Sequence, residues 1–277
     1  MTARPPPYPL EGVASWNLTT ACNRRCSYCT QRDQADRGRH ADRIPAFLEA
    51  FRRLPGDWEV KLSGGEPFGH PAFLDVVAGL AAAGRRVSAV TNLSAPEAEI
   101  LRFAEATAGR PGHLAASLHL EYDEPGDFLA RVLRYPGRIV VTCVATRANL
   151  PRLPDLRDRF EAAGIPFRVQ PEKRDREVID YTGEERALLL ALGGHNGTGA
   201  VEPDLSGRPC WAGARYFVLD AWGEAWRCYP ARRRRREGLG NVLDGTFRLS
   251  PSPAICPYPY CNCTVPQERG MVDTRRS

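Results

Sequence analysis

Residues 13–29 read VASWNLTTACNRRCSYC, and their reading decides the fold class. An apolar, strand-like run, Val13 to Leu18, breaks into a loop that carries three cysteines. Further strand-like runs follow at Trp58 to Leu62, Arg86 to Val90, Leu114 to Leu120, Arg138 to Ala145 and Ile165 to Val169. Between them lie helix-like stretches near Ile44 to Leu54, Pro71 to Ala83, Pro96 to Ala108, Gly126 to Tyr135 and Leu153 to Ala163. Gly84 and Gly164 stand where helices need a residue tolerant of left-handed backbone. The alternation predicts an α/β fold of βα units around a parallel sheet. One more helical stretch, Glu184 to Leu192, leads through a Gly-rich segment into a cysteine-rich end.

The chain has 277 residues, enough for one large unit and a smaller one. With 43% apolar and 26% charged residues, collagen-like, disordered and coiled-coil classes are excluded. No run of about 18 apolar residues occurs, which excludes a spanning helix, and the opening MTARPPPYPLEG lacks the apolar stretch of a secretory signal. A cytoplasmic protein without a membrane partner is expected. The net charge of +5 is modest, so a nucleic-acid partner is not expected either. Arginine supplies nearly all the basic charge, Lys61 and Lys173 being the lysines, and the run Arg232 to Arg236 reads as a solvated loop before it reads as an anion grip.

Nine cysteines in a reducing compartment point to metal or catalysis before disulfides. Cys22, Cys26 and Cys29 form C-x3-C-x2-C, three thiolates that leave one corner of a four-metal cluster open to a ligand. A zinc knuckle would want a fourth ligand, for which His40 is the near candidate. In parallel βα folds ligands collect at the carboxyl ends of the strands. There the sequence places Ser63-Gly64-Gly65-Glu66-Pro67, then Thr91-Asn92, and Ser117, His119 and Glu121 on one face of the fourth strand. His119 and Glu121 are candidate acid-base groups pointing into the barrel. Cys143, in the apolar fifth strand, reads as a core residue, or as a hydrogen-atom donor to a substrate radical. Arg168 and Gln170 leave the sixth strand on one face and are candidate contacts to a carboxylate or cofactor.

The cysteine loop, with Tyr28 before its third cysteine, and Gly64-Gly65-Glu66-Pro67 after the second strand together resemble the radical S-adenosylmethionine (radical SAM) superfamily. The resemblance implies a partial (β/α)6, TIM-like barrel, residues 13–170 corresponding to its core. It implies that Cys22, Cys26 and Cys29 hold a 4Fe–4S cluster whose open iron is chelated by S-adenosylmethionine. Gly64 and Gly65 would let backbone approach the methionine amine, with Glu66 and Pro67 beside it, Tyr28 near the adenine, and Asn92 and Ser117 near the ribose or methionine. Similar enzymes cleave S-adenosylmethionine to a 5′-deoxyadenosyl radical that takes hydrogen from a C–H bond, using an electron donor such as a flavodoxin or ferredoxin.

The last quarter reads Cys210-x12-Gly223-x4-Cys228, Leu239-Gly240-Asn241, then Cys256-x4-Cys261-x1-Cys263. This resembles SPASM and twitch extensions. Five cysteines serve one auxiliary 4Fe–4S cluster with one to spare, which favours the single-cluster twitch form; the rival is a structural zinc site. The expected divisions are an extension at 1–12, the core barrel at 13–180, a helical linker at 181–209 and a small cysteine-rich domain at 210–277. The expected activity is oxidation, dehydrogenation or a related change to a small molecule such as an aminocyclitol or sugar, or to a ribosomally made peptide. The alternative is a non-catalytic zinc- or iron–sulfur-binding interaction or electron-transfer protein.

Overall fold

A computed structural model describes residues 11–31, 41–175 and 177–272; His40 and most of the expected 1–12 extension lie outside them. Six strands, β1 (Gly12–Thr19), β2 (Trp58–Gly64), β3 (Arg86–Thr91), β4 (Pro111–Leu118), β5 (Ile139–Ala145) and β6 (Phe167–Pro171), alternate with α1 (Ile44–Arg52), α2 (Phe73–Ala82), α3 (Glu97–Thr107), α4 (Pro125–Arg134) and α5 (Leu153–Ala162). Neighbouring strands of this series pair in parallel, in sequence order. The expected partial barrel is what forms. Local chemistry sets its punctuation: Gly84 and Gly164 take φ of +73° and +75° after α2 and α5, and the Glu124 carboxylate accepts from the Gly126 and Asp127 amides to cap α4.

Alternation along each strand divides the barrel into two faces. In β5, Val141, Cys143 and Ala145 are buried and share the core with Phe128 of α4 and Phe160 of α5, while Thr142 and Val144 line a cavity inside the barrel. Strand β4 ends at Leu118, so His119 and Glu121 are not strand residues as expected; they stand in the turn that follows.

After β6 come a short hairpin, β7 (Lys173–Arg174) and β8 (Glu177–Val178), and α6 (Gly183–Ala191), whose Thr182 and Glu185 form a reciprocal capping box. The last quarter supplies β9 (Pro209–Cys210), β10 (Tyr216–Leu219), β11 (Glu224–Trp226), α7 (Tyr229–Arg234), β12 (Gly238–Asn241), β13 (Ala254–Ile255) and α8 (Val265–Glu268). This region is not a detached unit. Strand β10 pairs in parallel with β1, Val13 opposite Tyr216, and β11 and β12 extend one nine-stranded sheet. The tail closes the barrel floor, with Arg269 paired to buried Glu59 at 2.9 Å and Glu268 to Arg168 at 3.1 Å. Among the described residues no helix is long and apolar enough to cross a membrane.

Candidate active site

At the carboxyl ends of the barrel strands lies a cavity of about 240 Å³. Its wall includes Cys22, Cys26, Tyr28 and Cys29 from the loop after β1, Gly64 and Gly65 from the end of β2, Asn92, Ser117 and His119, and Gln170 near the end of β6. Residues from distant parts of the chain thus meet at the strand ends, as parallel βα geometry requires.

The glycines explain how the cysteine loop is placed. The Gly65 amide donates to Thr19 O at 2.8 Å and the Glu66 amide to Ala21 O at 2.8 Å. A Cβ on Gly64, whose φ is +132°, would stand 2.0 Å from Thr19 O, and one on Gly65 1.9 Å from Ala21 O. Only bare backbone fits between the β2 loop and the segment entering Cys22.

A second clamp comes from the turn after β4. Arg24, 9% exposed, forks onto Asp123, which also takes Arg131 at 2.7 Å. The Arg25 amide donates to Tyr122 Oη at 2.8 Å, and Ser27 donates its amide at 3.0 Å and its hydroxyl to the Glu121 carboxylate. His119 Nδ1 lies 2.7 Å from Tyr28 Oη and 3.4 Å from Cys26 Sγ. Here His119 braces the loop from the cavity wall itself, while Glu121, exposed and not on that wall, braces it from outside. Burial, with Arg24 nearby, lowers the His119 imidazole to about 4, so it is neutral at pH 7. Burial, then Glu121, pushes Cys26 up to about 11, and the neighbouring thiols add to it.

Other expected contacts fall elsewhere. Glu66, 3% exposed, accepts from Thr91 Oγ1 at 2.8 Å and from the amides of Asn92 and Phe68 at 2.7 and 3.2 Å. Its carboxylate ties β2 to β3 and, like Pro67, is absent from the cavity wall. Burial raises its pKa against those hydrogen bonds. Asn92 does line the cavity, yet its amide group is spent on Asn23 Oδ1 at 2.9 Å and on capping Ser94 N at 3.0 Å. Arg168 faces a separate small chamber below, with Lys61 and His113, and Gln170 borders both spaces. Cys143 faces the helices, where burial pushes its thiol up to about 12; alternation turns it away from the cavity, so its placement is that of a core residue.

One residue passed over in the sequence is Lys173. It lines the cavity, donates to Asn262 O at 2.9 Å, between Cys261 and Cys263, and lies 3.5 Å from His195 Nε2. Burial lowers it to about 8, against the pull of the Cys263 and Cys261 thiols. The sequence did carry a signal: in a chain that otherwise uses arginine, both lysines border barrel cavities.

The C-terminal thiols collect on the continuation of the same sheet face. Cys210, Cys228, Cys256 and Cys261 are buried in one apolar cluster with Val13, Tyr216 and Val218, and Cys263 packs against it. A hydrogen bond from Cys261, ahead of one from Tyr216, lowers the Cys263 thiol despite burial. Arg227, 5% exposed, staples the segments together by donating to Ala212 O at 2.9 Å, Ala254 O at 2.8 Å and Glu237 Oε1 at 2.7 Å. Among the described residues no three His, Cys, Asp or Glu side chains converge tightly enough to clasp a single metal ion.

A sequence profile of the Radical SAM superfamily matches residues 16–162, just over half of the chain. No curated protein matches significantly. Among solved structures, Streptococcus suis SuiB superimposes with a TM-score of 0.61 at 14% identity, covering 84% of this chain and 63% of SuiB. Native anSMEcpe with bound AdoMet and Cp18Cys peptide gives 0.60 at 14% identity, covering 85% of this chain and 79% of that one. BtrN in complex with AdoMet and 2-DOIA gives 0.52 at 12% identity, covering 89% and 81%. The chain therefore spans less than two thirds of the length of SuiB.

Proposed function

The chain belongs to the radical SAM superfamily, and from that premise we propose that it is an enzyme that removes a hydrogen atom from a C–H bond of a biosynthetic substrate. One observation carries the reading: Cys22, Cys26 and Cys29 share the wall of a single cavity with Gly64 and Gly65. The donor set fits a 4Fe–4S cluster. A cluster takes one thiolate per iron and so needs thiols spread around it, not converged on one ion. Cys26, whose pKa partial burial, Glu121 and the neighbouring thiols raise, also needs a cationic partner to ionise. When bound, the cluster and S-adenosylmethionine supply one-electron cleavage of the sulfonium and a 5′-deoxyadenosyl radical.

The chain's own residues do the positioning. Gly64 and Gly65 let the two loops meet, and His119, Glu121, Tyr122 and Asp123 hold the cysteine loop still. Val90, Leu118 and Val144 make apolar wall that keeps water from a reactive centre, while Ser117, Thr142 and Gln170 offer hydrogen bonds to a bound molecule. Tyr28 is the residue beside which the adenine would lie. The C-terminal thiols would hold a second, auxiliary 4Fe–4S cluster of the twitch type, able to accept an electron from the substrate and so complete a two-electron oxidation. A flavodoxin or ferredoxin would deliver the first electron.

Both substrate classes remain represented among the fold's relatives: SuiB is described with its precursor peptide and BtrN with 2-DOIA. We accordingly propose a peptide or a small molecule such as an aminocyclitol. Anaerobic reconstitution, iron and sulfide counting and chromatography for 5′-deoxyadenosine test the reading. About eight irons per chain and reductive cleavage are expected; bound zinc with intact S-adenosylmethionine would overturn it.

A further inference from the structure

Tyr216 is wholly buried on β10, in the apolar cluster that holds the C-terminal thiols. Its hydroxyl is placed to donate to two acceptors, Ser15 Oγ at 3.2 Å and Cys263 Sγ at 3.6 Å. Ser15 is itself 3% exposed and lies on β1, the strand that runs into the Cys22 loop. A phenol carries one proton, so the two acceptors compete for it. Filling this space would require only a phenylalanine ring; the oxygen is the part that packing does not explain.

We propose that Tyr216 and Ser15 together set the reduction potential of the cluster that Cys263 helps to hold, Tyr216 raising it and Ser15 restraining it. The proposal rests on reading the C-terminal thiols as ligands of an auxiliary 4Fe–4S cluster. A hydrogen bond to a ligand sulfur favours the reduced, more negative state and moves the potential upward. Each share of the proton drawn by Ser15 Oγ weakens that bond. Tyr216 is thus a positioning residue, acting through Cys263.

The two substitutions carry opposite signs, which a purely structural role would not give. The test uses the full chain with Cys22→Ala, Cys26→Ala and Cys29→Ala, so that only a C-terminal cluster can signal, in an electron paramagnetic resonance titration against potential. Tyr216→Phe is expected to shift the midpoint negative and Ser15→Ala to shift it positive. A background chain that binds no iron and sulfide overturns the reading of the C-terminal thiols, and this proposal with it. A loaded cluster whose midpoint is unmoved by both substitutions, or moved in the same direction by both, overturns the proposal alone. Should Tyr216→Phe fail to load, Ser15→Ala decides: a positive shift supports the proposal, and no shift or a negative one overturns it.

Discussion

Cys22, Cys26 and Cys29 sit on a loop that leaves them partly or fully exposed on a cavity wall, whereas Cys210, Cys228, Cys256 and Cys261 are buried among apolar side chains. The first set is positioned by polar contacts from a neighbouring turn; the second is embedded around one buried arginine. A site that must admit a second molecule needs open space on one side and rigid support on the other. A site that only stores or passes an electron gains from closure, since burial governs its potential. The two constructions match the two roles proposed for them.

That contrast can be broken by exchanging which set is damaged. Cys26→Ala is expected to abolish 5′-deoxyadenosine formation, while Cys228→Ala retains cleavage but loses product; full product from Cys228→Ala, measured by chromatography, would erase the distinction. Arg227→Met leaves buried carbonyls and Glu237 without their donor and should cost about 3 kcal/mol in denaturant unfolding, with loss of C-terminal iron.

A pH experiment sharpens the comparison further. Burial, with the Lys173 ammonium beside it, lowers the His195 imidazole to about 2. In the unfolded chain the same group takes a proton near pH 6.5. Stability is therefore lost as pH falls below about 6.5, by about 2 kcal/mol at pH 5, and His195→Gln should flatten that part of the stability curve. The smallest effect belongs to the exposed clamp: Glu121→Ala should cost about 1 kcal/mol and slow iron loading at the Cys22 set, read by iron content over time.

The order and approximate bounds of the six βα units were legible because apolar runs, Gly84 and Gly164 are local signals. The strand-end rule likewise brought Gly64, Gly65, Asn92 and Ser117 to the cavity where Cys22, Cys26 and Cys29 stand. It brought His119 to the cavity wall although β4 stops at Leu118, but it misjudged Glu121, because alternation ceases to apply beyond a strand's end. Cys143 shows the same rule working in reverse: its neighbours Thr142 and Val144 take the cavity side. Nothing local announced Arg227 or the β1–β10 pairing, whose partners lie far apart in sequence.

From composition, periodicity and spacing alone came the parallel βα architecture, the two cysteine groups and the glycine pair, since each depends on residues near one another in the chain. Tertiary structure decided which side chains face the cavity, that the last quarter continues the barrel sheet, and that the turn after β4 braces the cysteine loop. The physical reason is that strand pairing and burial are settled between segments, where no short stretch of sequence holds both partners.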